Sequence, residues 1–270
     1  MPELPEVETI ARGLDHRVAG DRIESVWIGS KPEPLKSPAA VIAKTLERTR
    51  IRQVRRVGKH IVFDLRAPNG AGTRQWIVHL GMTGRLVVAP PEAELASHTH
   101  LIAKLASGRE LRFVDPRRFG RLEVRRTRFA GPGTEPLQIT PQELVQLFHP
   151  RKAPIKAALL NQKLLHGVGN IYADESLFRA GIRPRRRANS ITRAQYEKLH
   201  SALQDVLREA IAAGGSSVSD YVDADGEEGL FQLQHRVYGR EGEPCLVCKT
   251  PIKKIVVGGR GTHYCPKCQR

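Results

Sequence analysis

Met1-Pro2-Glu3-Leu4-Pro5-Glu6-Val7-Glu8 opens the chain, and a helical period that starts inside it fixes how the rest must pack. From Pro5 onward Val7, Ile10, Ala11 and Leu14 recur at the spacing of an amphipathic helix, and Pro5 is tolerated in the first turn because its missing N–H has no partner there. At 3.6 residues per turn Glu6 falls beside Val7 and Ile10, on the edge of the face to be buried, whereas Glu8 points away from it. Glu3 precedes the helix, so periodicity gives it no direction. The positive end of the helix dipole is worth only about 0.3–1 kcal/mol to an acid and is equally available to one facing solvent. An inward Glu6 therefore calls for another reason.

The second residue supplies one. Removal of Met1 would leave Pro2 with a secondary amine, and an α-amino group titrates near 7.7–8.0 against about 10.4 for lysine, so far more of it is unprotonated at neutral pH. Such an amine condenses with an aldehyde-level carbon to give an iminium, which draws electrons from the neighbouring carbon and eases elimination. Taken alone, Pro2 reads equally as a rigid start to the chain. The carboxylates beside it favour the chemical reading.

Composition points to the class of partner. The 44 Lys and Arg against 28 Asp and Glu give a formal charge of +16, and the basic residues cluster in runs at 48–59, 109–128 and 183–187 with few acids among them. Solvated charged faces mix signs, so these runs suit a polyanion, and the excess of arginine suits planar recognition of phosphates and bases. A membrane surface fits less well: no apolar stretch approaches the roughly 18 residues of a spanning helix, and the acidic start is not a signal peptide.

Cys245, Cys248, Cys265 and Cys268 form two C-x2-C pairs separated by sixteen residues. That is zinc-ligand spacing, with room between the pairs for a β-hairpin that folds the second back onto the first. Two disulfides would suit a small secreted scaffold, which this chain does not resemble. Four cysteines leave no position for water, so the ion is expected to be structural.

A chain of 270 residues is comfortable as two domains or more. Short β-rich runs at 22–28, 60–65, 75–80, 86–89, 101–105, 110–114 and 121–125 predict a β-sandwich or barrel with the N-terminal helix laid against it. The Gly- and Pro-rich stretch 131–137 reads as a linker. Helical periods follow at 140–149, 155–162, from about Asn170, and at 192–213, with Asn170 a candidate cap. The segment 214–229, rich in Gly, Ser and Asp, reads as a long loop.

These pieces coincide in order along almost the whole chain. The opening PELPEVE, RRVGK ending at Lys59, HLGMTG around Met82, DPRRFG from Asp115 to Gly120, GVGNIYADE from Gly167 and the terminal Cys-rich ribbon together resemble the bacterial formamidopyrimidine-DNA glycosylase family, enzymes that remove oxidised purines. The resemblance implies an α+β, multidomain fold: an N-terminal helix and β-sandwich at 1–130, the linker, a helix-two-turn-helix domain with a base-capping loop at 138–235, and a four-cysteine zinc finger at 236–270. It also implies the roles of single residues. Pro2 would be the attacking amine, Glu3 the general acid and base, and Glu6 would order that site. Lys59 would contact a phosphate beside the lesion and assist elimination, although position alone makes it a strand-end surface lysine. Arg260, at the tip of the zinc hairpin, would reach the flanking phosphate and serve the second elimination.

A base inside a duplex must be flipped out and the gap filled. Met82 and Phe119 match the family's wedge residues, Arg117 the reader of the orphaned base and Arg118 a backbone contact. Without the motif, core packing would be the plainer reading of Met82 and Phe119. His98, Lys152, Lys156 and Asn170 match family positions at the DNA backbone or base pocket. The expected partner is double-stranded DNA carrying oxidised purines or abasic sites, bound by a monomer in the bacterial cytoplasm at the nucleoid, with one structural zinc and no organic cofactor. Two alternatives remain at this point. One is the endonuclease VIII-like branch, which prefers oxidised pyrimidines and usually has glycine where this chain has Leu4; the other is a zinc-ribbon DNA-binding protein that has lost the amine.

Overall fold

A computed structural model describes residues 1–67, 70, 72–217 and 229–270. The chain forms two compact units, Met1–Ala130 with Ser217–Gly229, and Gly131–Ser216 with Leu230–Arg270.

The first unit begins with helix α1, Leu4–Val18, whose Leu4, Val7, Ile10, Ala11, Leu14 and Val18 are buried. Strand β1 (Ile23–Ile28) and helix α2 (Ala39–Leu46) follow, then β2 (Arg50–Val57), β3 (His60–Arg66), β4 (Thr73–His79), β5 (Arg85–Ala89), β6 (Thr99–Leu105), β7 (Glu110–Val114) and β8 (Arg121–Arg125). Among the described residues they build two four-stranded sheets, ordered β1-β6-β7-β5 and β2-β3-β4-β8. All the pairings are antiparallel. Alternate residues of both sheets meet in one core: Ile61, Phe63, Leu65, Trp76 and Val78 share it with Leu101, Ala103, Leu111 and Phe113, and α1 adds Val7 and Leu14. Phe63 and Trp76, opposite each other in the register, stack with ring centroids 4.7 Å apart. Val62 and Ile77 on the other face are covered by Phe129, which is why residues 61–63 of β3 and 76–78 of β4 are continuously apolar.

Two elements depart from the sequence reading. The basic run at 48–59 contains β2, in which Ile51 and Val54 stand three apart, a helical spacing; a bulge between Ile51 and Gln53 shifts the register and returns both to the core. Helix α2 lies in a stretch that gave no period-2 signal and buries Ile42 and Leu46, one turn apart.

The second unit is helical. Helix α3 (Pro141–Phe148) is capped by Thr140, whose hydroxyl accepts from Glu143 N while its own N–H donates to Glu143 Oε2. Helix α4 spans Ile155–Leu159, shorter than the expected 155–162, because Asn161 Oδ1 accepts from Lys163 N and turns the chain. Helix α5 (Asn170–Arg179) packs on α6 (Arg193–Ala212), itself capped by Thr192 and Gln195. Gly169, not Asn170, is the N-cap of α5. Strands β9 (Lys253–Val257) and β10 (Arg260–Tyr264) form the terminal hairpin, with Arg260 opposite Val257.

Candidate functional site

The amine-bearing end of α1 is held by its own carboxylates and by β2. Glu6 is buried, and its Oε2 accepts the backbone N–H of Glu3 at 2.8 Å, so the inward acid braces the residue before the helix. Glu3 is also buried, while Pro2 is half-exposed beside it. The helix runs antiparallel to β2: Glu8 Oε2 meets Arg56 Nε at 2.7 Å, Asp15 Oδ1 accepts from Val54 N at 2.6 Å, and Gly20 N donates to Ile51 O at 2.8 Å. The start of the helix and the Gly58-Lys59 turn that ends β2 therefore lie at the same end of the sheet. Glu8, read as outward, is half-buried between Arg12 and Arg56. Lys59 is only 5 % exposed, which the surface reading did not anticipate. Burial first, then the charges of Lys59, Arg121 and Lys36, push His79 down to about 4, so its ring is neutral at physiological pH.

Two loops of the same unit are fastened to each other. Asp115, fully buried, accepts from Thr83 Oγ1 at 2.7 Å through Oδ1 and from Gly120 N at 2.7 Å through Oδ2. Arg117 N donates to the same Thr83 hydroxyl at 3.3 Å. The turn bearing Met82 is thus joined to the loop bearing Arg117 and Phe119. Met82 and Phe119 are 44 % and 50 % exposed although large and apolar, so packing in a core does not explain them. Arg117 places its guanidinium carbon 4.8 Å from the centre of the Phe119 ring, a cation–π geometry. Arg118, with φ of 57°, pairs with Glu33 at 2.6 Å. His98 is exposed and adopts φ of 67°, which turns its carbonyl toward Asp115 N.

Gly81 sets how closely these loops approach. A Cβ there would lie 2.6 Å from Gly120 N and from the Phe119 carbonyl carbon, at a φ of +65° that disfavours side chains. Gly81→Ala is expected to destabilise the unit by about 1–3 kcal/mol and to push its turn away from the Phe119–Gly120 backbone. Thermal melting checks it; a parental midpoint would show that the loops tolerate separation.

In the second unit the four cysteine sulfurs lie within 4.8 Å of one another, with Cys245 and Cys268 at 3.9 Å and Cys248 and Cys265 at 3.4 Å. A disulfide needs about 2.05 Å, whereas zinc bonded to sulfur at about 2.3 Å sets tetrahedral sulfurs about 3.8 Å apart. The arrangement fits one structural zinc. Cys248 is held down at about 6, chiefly by the Thr250 hydroxyl and N–H, while burial raises Cys265 and Cys268. Arg260 opens β10 after the Gly258-Gly259 turn and is exposed. Lys152 is exposed ahead of α4. Lys156 is fully buried, and its Nζ lies 2.7 Å from Asp174 Oδ1, also buried, so its ammonium faces protein. Asn170 Nδ2 donates to Gly261 O at 2.9 Å. Residues 218–228 of the expected base-capping loop lie outside the described residues.

Several organising residues carried no role in the sequence reading. Asp115, Thr83 and Gly81 sit inside quoted motifs, but their part depends on contacts between distant segments. Asp174 and Glu175 are likewise buried in α5; the Glu175 carboxylate accepts the N–H groups of Arg236, Val237 and Tyr238 at 2.9–3.0 Å. Consecutive acids in an otherwise apolar helical stretch were the available signal.

Comparison with known proteins covers the whole length. Residues 1–122 match the formamidopyrimidine-DNA glycosylase N-terminal domain, 131–222 the H2TH domain of the same enzymes, and 242–270 the zinc finger found in FPG and IleRS. The chain is 44 % identical to the formamidopyrimidine-DNA glycosylase of Desulfitobacterium hafniense over 278 residues and 43 % identical to that of Solibacter usitatus over 279, covering 100 % of each chain. Among solved structures, MutM (FPG) from Thermus thermophilus superposes with a TM-score of 0.87 at 42 % identity, covering 99 % of this chain and 98 % of that one. Lactococcus lactis Fpg in complex with abasic-site DNA gives 0.90 at 35 % identity, covering 99 % of each. On these matches, which run through both units and the cysteine cluster, the chain belongs to the formamidopyrimidine-DNA glycosylase family.

Proposed function

We propose that this protein is a bifunctional DNA glycosylase and AP lyase of base excision repair that removes oxidised purines, 8-oxoguanine and formamidopyrimidines, from duplex DNA. The reading is carried by the placement of Pro2 beside the buried Glu3 and Glu6, at the end of the sheet where Lys59 turns, in a chain of this family. Once Met1 is removed, the Pro2 nitrogen attacks the sugar carbon bearing the damaged base, and the glycosidic bond breaks with its electron pair leaving on the base. Glu3 gives a proton to the ring oxygen as the sugar opens, and an iminium joins Pro2 to the sugar. Loss of a proton from the adjacent carbon then sends electrons into the iminium and expels the 3′ phosphate; a second elimination expels the 5′ phosphate, with Lys59 and Arg260 at the phosphates. The Cys245, Cys248, Cys265 and Cys268 thiolates hold the zinc, which orders the hairpin carrying Arg260.

Met82 and Phe119 fill the gap left by the flipped base, and Arg117 meets the orphaned partner. Arg118, His98, Lys152 and Asn170 are backbone or pocket contacts; Arg118 must exchange Glu33 for phosphate. The functional division follows 1–130, 131–137, 138–235 and 236–270, and the protein acts as a monomer on DNA in the bacterial cytoplasm, at the nucleoid. No helix among the described residues is long and apolar enough to cross a membrane.

Single-turnover excision from otherwise identical duplexes tests the substrate class. Faster release of 8-oxoguanine than of an oxidised pyrimidine is expected, and the reverse order would contradict it. Arg117→Ala should narrow the preference for cytosine over adenine opposite the lesion by about 1–3 kcal/mol, the scale of a bidentate base contact. Arg118→Ala should weaken all duplexes alike. An unchanged ratio in the Arg117 variant would remove its role as reader.

A further inference from the structure

Lys156 lies fully buried in α4 with three partners around its ammonium: Asp174 Oδ1 at 2.7 Å, Thr262 Oγ1 at 2.8 Å and Gly261 O at 3.0 Å. Asp174 supplies the opposite charge, and Thr262 and Gly261 accept hydrogen bonds from the ammonium. We propose that Lys156 and Asp174 are positioning residues that clamp strand β10 and thereby set where Arg260 presents its guanidinium. The inference rests on the reading of Arg260 as the phosphate contact of the second elimination.

Every residue from Arg260 to His263 is gripped from this side. Thr262 Oγ1, which receives Lys156, donates in turn to Arg260 O at 2.9 Å. Gly261 O accepts from both Lys156 Nζ and Asn170 Nδ2, at 3.0 and 2.9 Å. Asp174 Oδ2 accepts the N–H of His263 at 2.8 Å. One edge of β10 pairs with β9, and α4 and α5 hold it where a third strand would otherwise lie. On the other side of Arg260, Gly258 and Gly259 take φ of 58° and 74°, a permissive turn in which a Cβ on Gly258 would come within 3.0 Å of the Ala157 Cβ of α4. The charged and hydroxyl contacts that reach Arg260 thus lie on its C-terminal side. A buried ion pair is an inefficient way to add stability, because apolar residues of the same volume serve as well, whereas fixing register is the best-attested use of such a pair.

The test uses the intact, zinc-loaded protein and the ratio of second- to first-elimination product on 8-oxoguanine duplex, which does not depend on the fraction of active molecules. Lys156→Met combined with Asp174→Asn removes both charges together and leaves an oxygen for the His263 N–H. The ratio is expected to fall roughly 5- to 30-fold, as for loss of a charged contact, while base release falls much less. Arg260→Ala should lower the ratio similarly, and adding the clamp substitutions to it should change the ratio no further. A parental ratio in the clamp variant, or a further fall in the Arg260→Ala background, would overturn the inference. A parental ratio in Arg260→Ala alone would overturn the reading of Arg260 instead. If the double substitution loses zinc, Thr262→Val, which removes only the bridging hydroxyl, is judged by the same outcomes.

Discussion

Pro2→Gly is expected to slow base excision by on the order of a hundredfold and to reduce borohydride trapping in parallel, while duplex binding stays close to parental. Glycine keeps an N-terminal amine once Met1 is removed, so the loss stays well short of the roughly 10⁶-fold seen when a nucleophile is deleted outright elsewhere. What disappears is the secondary amine and the ring that fixes its direction beside Glu3. Folding should be spared: Pro5 still lies in the first turn of α1, Glu6 still accepts the Glu3 N–H, and Glu8 and Asp15 still fasten the helix to β2. Binding should be spared because Met82, Arg117 and Phe119 stand on loops organised by Asp115, not by α1. Single-turnover excision and a binding isotherm on the same duplex check both halves. Undiminished trapping would move the nucleophile to a lysine, with Lys59 the first to examine.

Cys245→Ser is expected to have the larger structural effect. The apolar cluster under the ribbon consists of Phe178, Val237, Ile252 and two of the ligands, Cys245 and Cys265, with Cys248 and Cys268 packed against it. So small a core cannot hold a hairpin by burial, and binding of structural zinc is worth about 10–16 kcal/mol to the folding of zinc-finger peptides at neutral pH. Losing one thiolate should empty the site, lower the melting temperature and reduce DNA affinity and strand cleavage together, since β10 carries Arg260. The damage should reach α4 and α5, whose Lys156, Asp174 and Asn170 close on β10. Zinc content, melting and cleavage are measured on one preparation; a full zinc complement would refute the four-cysteine site.

The contrast between β3 and β2 shows what the sequence could reveal. In β3 and β4 residues 61–63 and 76–78 are continuously apolar because both faces are covered, and those strands were legible. In β2 the bulge at Ile51/Gln53 disguises a strand as a basic run, and no local pattern announces a bulge whose cause is the pairing with β3. The period of α1 predicted an inward Glu6 correctly, but the partner that explains it, the Glu3 N–H, is a matter of cap geometry. The four cysteines announced their ion because ligand spacing is local. Lys59 and Lys156 were placed by motif and resemblance, and neither reveals burial: one is closed into a hairpin turn, the other faces an acid eighteen residues along the chain. Asp115 escaped for the same reason, since its partner Thr83 lies in a different loop.

The central claim, that the N-terminal proline becomes covalently joined to the damaged sugar, is tested most directly by reducing the enzyme and 8-oxoguanine duplex with borohydride and mapping the adduct. Protein shown by intact mass to lack Met1 is mixed with the duplex, reduced and digested, and the peptide bearing the sugar remnant is sequenced by mass spectrometry. The expected result is one adduct, on the nitrogen of Pro2. An adduct on Lys59 or another lysine, or none from Met1-free protein that still releases the base, would contradict it.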